Sequence, residues 1–199
     1  RILRTTVETI ATYPKIDAIF IMWTDPTRFE HYIGANQYAA DSDGWRRLTA
    51  YRLQDNNFNP SERDEFIRQF HHPDVRSINK SLSMYTSYVR TPQHVLTELL
   101  NQILQIQTLC KAKNIKCKMS FSYTSDTINN TENQKFITNH VLHNKIGWSE
   151  NFWLDKDIFW SMNTYCRDNN ISFGPGLHPL DAGHSLVANK IIDSLKTDK

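Results

Sequence analysis

The sequence has few cysteines and no excess of charge of one sign. Its three cysteines, Cys110, Cys117 and Cys166, are an odd number without the spacing of a metal or redox motif. We therefore expect buried free thiols, a usage compatible with the cytoplasm. The 23 basic and 21 acidic side chains give a net charge of +2 at pH 7, and the basic residues are scattered. This pattern argues against nucleic acid and membrane surfaces as partners.

The sequence also lacks long apolar runs, phosphate-binding loops and clusters of metal ligands. No apolar run approaches the length that crosses a bilayer, and only six of the 199 residues are glycine. The acidic turn at 41–44 lacks the distal glutamate of a calcium loop. The pairs His71-His72 and His140/His143 have no third ligand at a suitable spacing, so ordinary surface or packing histidines are expected. The sequence predicts neither a metal nor a cofactor.

Helical and strand periodicities alternate along the chain. Apolar residues at helical spacing predict helices over 2–13, from Thr91-Pro92 onward, and over the aromatic-rich stretch 151–167. The continuous apolar run Ala18–Trp23 predicts a strand buried on both faces, as in a parallel sheet. Strict alternation over 115–123 predicts a strand with one wet side or a place near a sheet edge.

Residues 30–90 are rich in Asn, Asp, Arg and aromatic side chains and have no clear period. We interpret them as a long insertion that covers one side of the site, since such loops often set specificity. The order of the remaining elements predicts an α/β fold, a three-layer α/β/α sandwich with a mainly parallel sheet. Because no repeat or linker is evident, the sequence predicts one domain over 1–199.

The stretch 171–195 combines a short apolar strand at 171–173, a glycine-rich turn, a histidine–proline pair and a helix. Pro179 suits the first position of a helix. Asp181 suits the first turn, where a carboxylate interacts favourably with the positive end of the helix dipole. This order places His178 where a strand ends and a helix begins, which in open α/β sheets is where ligands and chemistry usually lie.

The pattern H-P-x-x-x-G-H-x-x-x-A, from His178 to Ala188, resembles the last conserved block of the SGNH (GDSL-type) hydrolases. That block usually reads D-x-x-H-P and its histidine is the catalytic base, so the resemblance implies this role for His178. The family's aspartate falls on Pro175, which cannot accept the imidazole N–H and fix its tautomer. A second register, Asp181 to His184, also spells D-x-x-H, but His184 then lies inside the helix and lacks the following proline.

The exit of the first strand is weakly similar to the family's G-x-N-D block, which lends an asparagine to the oxyanion hole. Met22 stands for the glycine, Thr24 for the asparagine, and only Asp25 is kept. A threonine hydroxyl can donate to an oxyanion; the alternative is that Thr24 and Asp25 cap or turn the strand exit. Arg28 is a candidate contact for a polar substrate, or else the partner of Glu30 in a local ion pair.

The resemblance implies a serine esterase or acetylesterase that acts on a small-molecule or carbohydrate ester without a cofactor. Because the opening residues already have the character of a helix interior, we expect a missing N-terminal portion. In the resembled family that portion carries the G-D-S block with the nucleophile. The alternative is an inactive scaffold of the same family, a glycan-binding or structural protein such as those phages encode, with Arg28 and aromatic side chains holding the glycan.

Overall fold

A computed structural model of the chain describes residues 2–32, 45–49, 84–123, 125–149, 151–155, 157, 159–174 and 178–196. The chain divides into two compact units, one formed by Arg1–Asp25 with Leu96–Lys199 and the other by Pro26–Val95. The bounds of the second unit lie close to those of the predicted insertion, 30–90. The predicted turn at 41–44 and the pair His71-His72 lie outside the described residues.

The described elements follow one another as α1 (Ile2–Thr12), β1 (Ala18–Trp23), β2 (Arg28–Tyr32), β3 (Trp45–Thr49), a π-helical turn (Tyr85–Val89), α2 (Pro92–Ala112), β4 (Lys116–Phe121), α3 (Asp126–Asn129), α4 (Thr131–Asn139), a 3-10 turn (His143–Lys145), α5 (Met162–Asp168) and α6 (Asp181–Lys196). The predictions of α1, β1 and the start of α2 are confirmed. Thr91 caps α2 by accepting the His94 backbone N–H at 3.3 Å. None of the described helices is long and apolar enough to span a membrane.

Strand β4 lies at the centre of the first unit. It pairs in parallel with β1, with Ala18 opposite Lys116 and Trp23 opposite Phe121. On its other edge, isolated parallel bridges join Met119 to Trp153 and Phe121 to Ser161. A parallel pair combined with helices makes this unit a mixed α/β structure. In the second unit, β2 and β3 form an antiparallel pair.

Helices cover both faces of the parallel pair. Because side chains alternate along a strand, Ile21, Trp23, Met119 and Phe121 share one face, and they belong to the buried cluster of α2. The α2 members of that cluster are Leu96, Leu99, Leu100, Ile103, Ile106 and Cys110. Met22 points the other way and packs against a second cluster, built on Met162 and Cys166 of α5 with Val187 of α6.

The prediction of a wet side on β4 is wrong. Lys118 is only 2% exposed and Ser120 only 1%, although both alternate with apolar residues as a half-solvated strand would. By register they lie on the face of Met22, the face that α5 and α6 cover. The polar side chains of this alternation are therefore buried on the face where α5 and α6 pack.

Two further predictions of secondary structure are corrected. The helix predicted over 151–167 begins only at Met162, where Ser161 caps it by accepting the Thr164 N–H. Upstream, backbone bonds between Met119 and the flanks of Trp153 hold the chain beside β4. The strand predicted at 171–173 reduces to a single antiparallel bridge between Phe173 and Pro179. Pairing with β4 thus replaces helix formation upstream of α5.

A buried amide fastens the loop after the 3-10 turn to α2. Gln107 is 4% exposed. Its Nε2 donates to the Gly147 carbonyl at 2.9 Å, and its Oε1 accepts the Gly147 N–H at 2.8 Å. The Trp153 indole N–H donates to the same carbonyl at 3.0 Å. This closed network fixes Trp153, which stacks on Phe121, against the sheet.

We expect Gln107→Leu to lower the free energy of unfolding by about 1–3 kcal/mol, because the Gly147 N–H is then left without an acceptor in a largely buried site. Urea denaturation followed by circular dichroism measures the loss. Gln105→Leu is the matched control, since Gln105 lies on the exposed side of the same helix and surface changes usually stay within about 0.5 kcal/mol. Equal losses in the two variants would contradict the structural role of Gln107.

Candidate active site

The carboxyl ends of β1 and β4 meet at one edge of the first unit, here called the carboxyl edge. Thr24 and Asp25 directly follow β1, and both are half-buried. Ser122 directly follows β4, and its N–H donates to the Trp23 carbonyl at 2.8 Å, which prolongs the strand pairing by one step. The sequence analysis missed Ser122, although its place as the first residue after a strand was a usable signal. Open α/β sheets bind ligands at this kind of edge.

Helix α6 runs antiparallel to β4, so its first turn lies toward the carboxyl edge. Near its end, the Leu195 carbonyl accepts a hydrogen bond from Lys116 Nζ at 3.1 Å, and Lys116 is the first residue of β4. The 16 residues of α6 span about 24 Å, and the six residues of β4 about 20 Å. With one end anchored at the start of β4, the helix reaches the opposite end of the strand.

Lys190 fastens the middle of α6 to the segment before α5. Its Nζ lies 5.1 Å from the ring centre of Trp160 and 5.0 Å from that of Tyr165. The same ammonium lies 3.5 Å from Asp155 Oδ2. Two rings and a carboxylate around one cation form a favourable cage, which fixes the helix along its length.

His178 lies on a short hairpin that leads into α6. The Gly174 N–H donates to the His178 carbonyl at 2.8 Å, and the Leu180 N–H donates to the Ser172 carbonyl at 3.2 Å. Phe173 of this hairpin packs against the cluster that also contacts Met22, near the end of β1. His178 itself is exposed, whereas Pro179 is buried. These contacts anchor Pro179 and leave the His178 side chain at the surface.

Gly183, the glycine of the H-P-x-x-x-G pattern, is required by close packing. A Cβ at this position would lie 2.6 Å from the Pro179 Cβ, 3.0 Å from the Cys166 Sγ and 3.1 Å from Ile171. The first turn of α6 therefore rests directly on the hairpin and on α5. This contact positions the backbone from which the His178 imidazole projects.

The remaining candidate residues are placed as follows. His184 lies inside α6 and is exposed, as the second register requires, and Asp181 is exposed in the first turn. Arg28 begins β2 in the second unit, and its side chain lies outside the described part of the structure. Pro175, which stands at the family's aspartate position, also lies outside the described residues.

Three buried polar atoms near the carboxyl edge have no hydrogen-bond partner in the described part of the chain: Trp23 Nε1, Ser120 Oγ and Ser122 Oγ. By register, Ser120 lies beside Met22 on the α6 face, and Ser122, two residues on, shares that face. Buried polar groups are normally paired. Within the described residues, Ser120 and Ser122 therefore leave two unpaired hydroxyl groups on the α6 face, and Trp23 leaves an unpaired indole N–H on the α2 face.

The two histidines of the His140/His143 pair make packing contacts, as predicted. His140 Nδ1 accepts the Leu142 N–H at 3.1 Å, and its ring lies against Phe136. The His143 ring stacks on Trp148 with centres 5.1 Å apart. Across the residues with described side chains, no group of three or more His, Cys, Asp or Glu residues has the geometry to hold a metal ion.

Comparison with known proteins gives no relative, since neither a family model, nor a curated protein, nor a solved structure matches the chain.

We expect Gly183→Ala to lower the free energy of unfolding by about 1–3 kcal/mol through overpacking, even though alanine favours a helix over glycine by about 1 kcal/mol. Thermal or urea unfolding measures this change. Ser185→Ala is the control on the exposed side of the same turn, where the higher helix propensity should leave stability equal or slightly higher. A stabilised Gly183→Ala protein would contradict the close packing of α6 on Pro179.

Proposed function

We propose that this chain hydrolyses ester bonds and that His178 is its general base. In this proposal the chain is a three-layer α/β/α domain resembling the SGNH hydrolases, with a mainly parallel sheet. The packing of α2 on one face of β1 and β4, and of α5 and α6 on the other, supports that architecture. The observation that supports the activity is an exposed histidine directly before the buried Pro179 and the start of α6.

The chemistry divides between the chain's own residues and a serine that the resemblance assigns to a G-D-S block. The sequence contains no such block, so in this proposal the nucleophile comes from a segment outside these 199 residues. His178 takes the serine proton as the hydroxyl attacks the acyl carbon, then gives that proton to the leaving alcohol. Backbone amides and the Thr24 hydroxyl stabilise the oxyanion.

His178 works in this scheme without the aspartate of the family pattern. An imidazole that no carboxylate orients can still act as half of a dyad, at a cost on the order of 10⁴ in rate when a complete triad is the reference. We therefore expect slow turnover of activated esters. The substrate class is a small-molecule or carbohydrate ester, with Arg28 as a candidate contact for its polar part.

A second candidate function is an inactive scaffold that holds a glycan. It is favoured by two exposed aromatic side chains of the second unit, since Tyr85 is 39% and Tyr88 79% exposed. Exposed tyrosines present flat apolar faces with a polar tip, which suits stacking on sugar rings. This candidate predicts glycan binding without turnover.

Hydrolysis of p-nitrophenyl acetate by the full-length protein tests the base assignment. We expect His178→Ala to reduce kcat/KM by about 10²–10⁴-fold, the usual worth of a general base, with the circular dichroism spectrum unchanged because the side chain is exposed. His184→Ala is the matched control and should retain activity. The reverse result would favour the second register, and glycan binding without hydrolysis would favour the scaffold.

The proposed role of Thr24 has its own test. We expect Thr24→Val to lower kcat by about 10–10²-fold at similar KM, since it removes one oxyanion donor and keeps the side-chain shape. Thr24→Ser keeps the hydroxyl and should retain most of the activity. If Thr24→Val and Thr24→Ser lose activity to the same extent, the hydroxyl is not the donor. Thr24 then only caps or turns the chain at the end of β1.

A further inference from the structure

A tight reversal of the chain connects α2 to β4, and it carries a cysteine on each side. Cys110 lies in the last turn of α2, and Asn114 ends the helical path with a left-handed φ of 55°. The Ile115 N–H then donates to the Cys110 carbonyl at 2.8 Å. Cys117 follows as the second residue of β4. The reversal therefore returns the strand along the end of the helix that precedes it.

Both cysteine side chains point into the same buried cluster. Ile115 and Cys117 are two residues apart along an extended chain, so they share the strand face that α2 covers. Cys110 is 0% exposed and Cys117 4% exposed. Residues 111–114, which form the reversal around the pair, are all exposed. The buried pair therefore flanks a turn whose residues are exposed to solvent.

The two thiols influence each other's ionisation. A side-chain hydrogen bond with Cys117 lowers the pKa of Cys110, and the same interaction, together with burial, raises the pKa of Cys117. The Cys110 sulfur is thereby the better nucleophile of the pair at a given pH. Cys166 differs, since its Sγ approaches the Gly183 carbonyl at 3.8 Å, and burial raises its pKa.

We propose that Cys110 and Cys117 form a reversible intrachain disulfide when the protein meets a two-electron oxidant such as a small-molecule disulfide or a diazene. With a diazene, the Cys110 sulfur first adds to one nitrogen of the N=N bond. The Cys117 sulfur then attacks the Cys110 sulfur and breaks its bond to that nitrogen. One S–S bond forms, two S–H bonds are lost, and both electrons and both protons reduce the diazene to a hydrazine. Thiol–disulfide exchange runs through the analogous mixed disulfide.

This modification site is separate from the proposed hydrolytic site. Cys117 is paired with Ile19 near the start of the parallel strands, whereas His178 lies in the segment just before α6. The disulfide would tie the end of α2 to the central strand without touching Thr24 or the hairpin. The inference therefore does not depend on the proposed esterase activity.

The test is oxidation of the folded protein with the diazene diamide, followed by alkylation of remaining thiols in denaturant, trypsin digestion and mass spectrometry. Trypsin cleaves after Lys111 and Lys116, so Cys110 and Cys117 fall on different peptides unless a disulfide joins them. We expect the joined peptide at the combined mass less two hydrogen atoms. It should disappear after dithiothreitol, and the near-ultraviolet circular dichroism spectrum should keep its native form.

Three variants serve as controls. Cys166→Ala should give the joined peptide in the same yield as the wild type, whereas Cys110→Ser and Cys117→Ser should give none. The wild type and Cys166→Ala are informative even if the serine variants fail to fold. Full alkylation of Cys110 and Cys117 after diamide treatment would overturn the proposal. So would dimers linked through Cys166, or a joined peptide that forms only as the native spectrum is lost.

Discussion

The position of β4 between two paired edges and two covered faces is the constraint on which the first unit depends. Its backbone bonds to β1 on one side and to the flanks of Trp153 on the other. Its side chains meet α2 on one face and α5 with α6 on the other. Lys116 at the start of the strand is exposed, but the enclosed part of β4 buries its polar residues Lys118 and Ser120.

The direction of α6 follows from the same strand. Because Leu195 is bound to Lys116 at the start of β4, the helix points its first turn at the carboxyl edge. The Lys190 cage holds its middle against Trp160 and Tyr165. Two fixed points set the direction of a helix, so the place of His178 is a consequence of contacts far along the chain from it.

Local signals in the sequence were sufficient where local forces decide the structure. The cap at Thr91, the apolar run of β1 and the histidine–proline turn could all be predicted from neighbouring residues. The burial of Lys118 could not, because alternation reports the polarity of a strand's faces and not what covers them. The covering helices begin only at Met162 and Asp181, far along the chain. Trp153 likewise lies in the stretch predicted to be helical, yet its pairing with Met119 is a long-range contact that overrides helix propensity.

The H-P-x-x-x-G pattern contains two kinds of residue that the structure separates. Pro179 is buried and Gly183 allows the first turn of α6 to rest on it, so packing alone accounts for the proline and the glycine. Packing does not account for His178, because its side chain is exposed and contributes little buried area. The proposed role as a general base asks that the imidazole be reachable from solvent, and the exposure of His178 provides this.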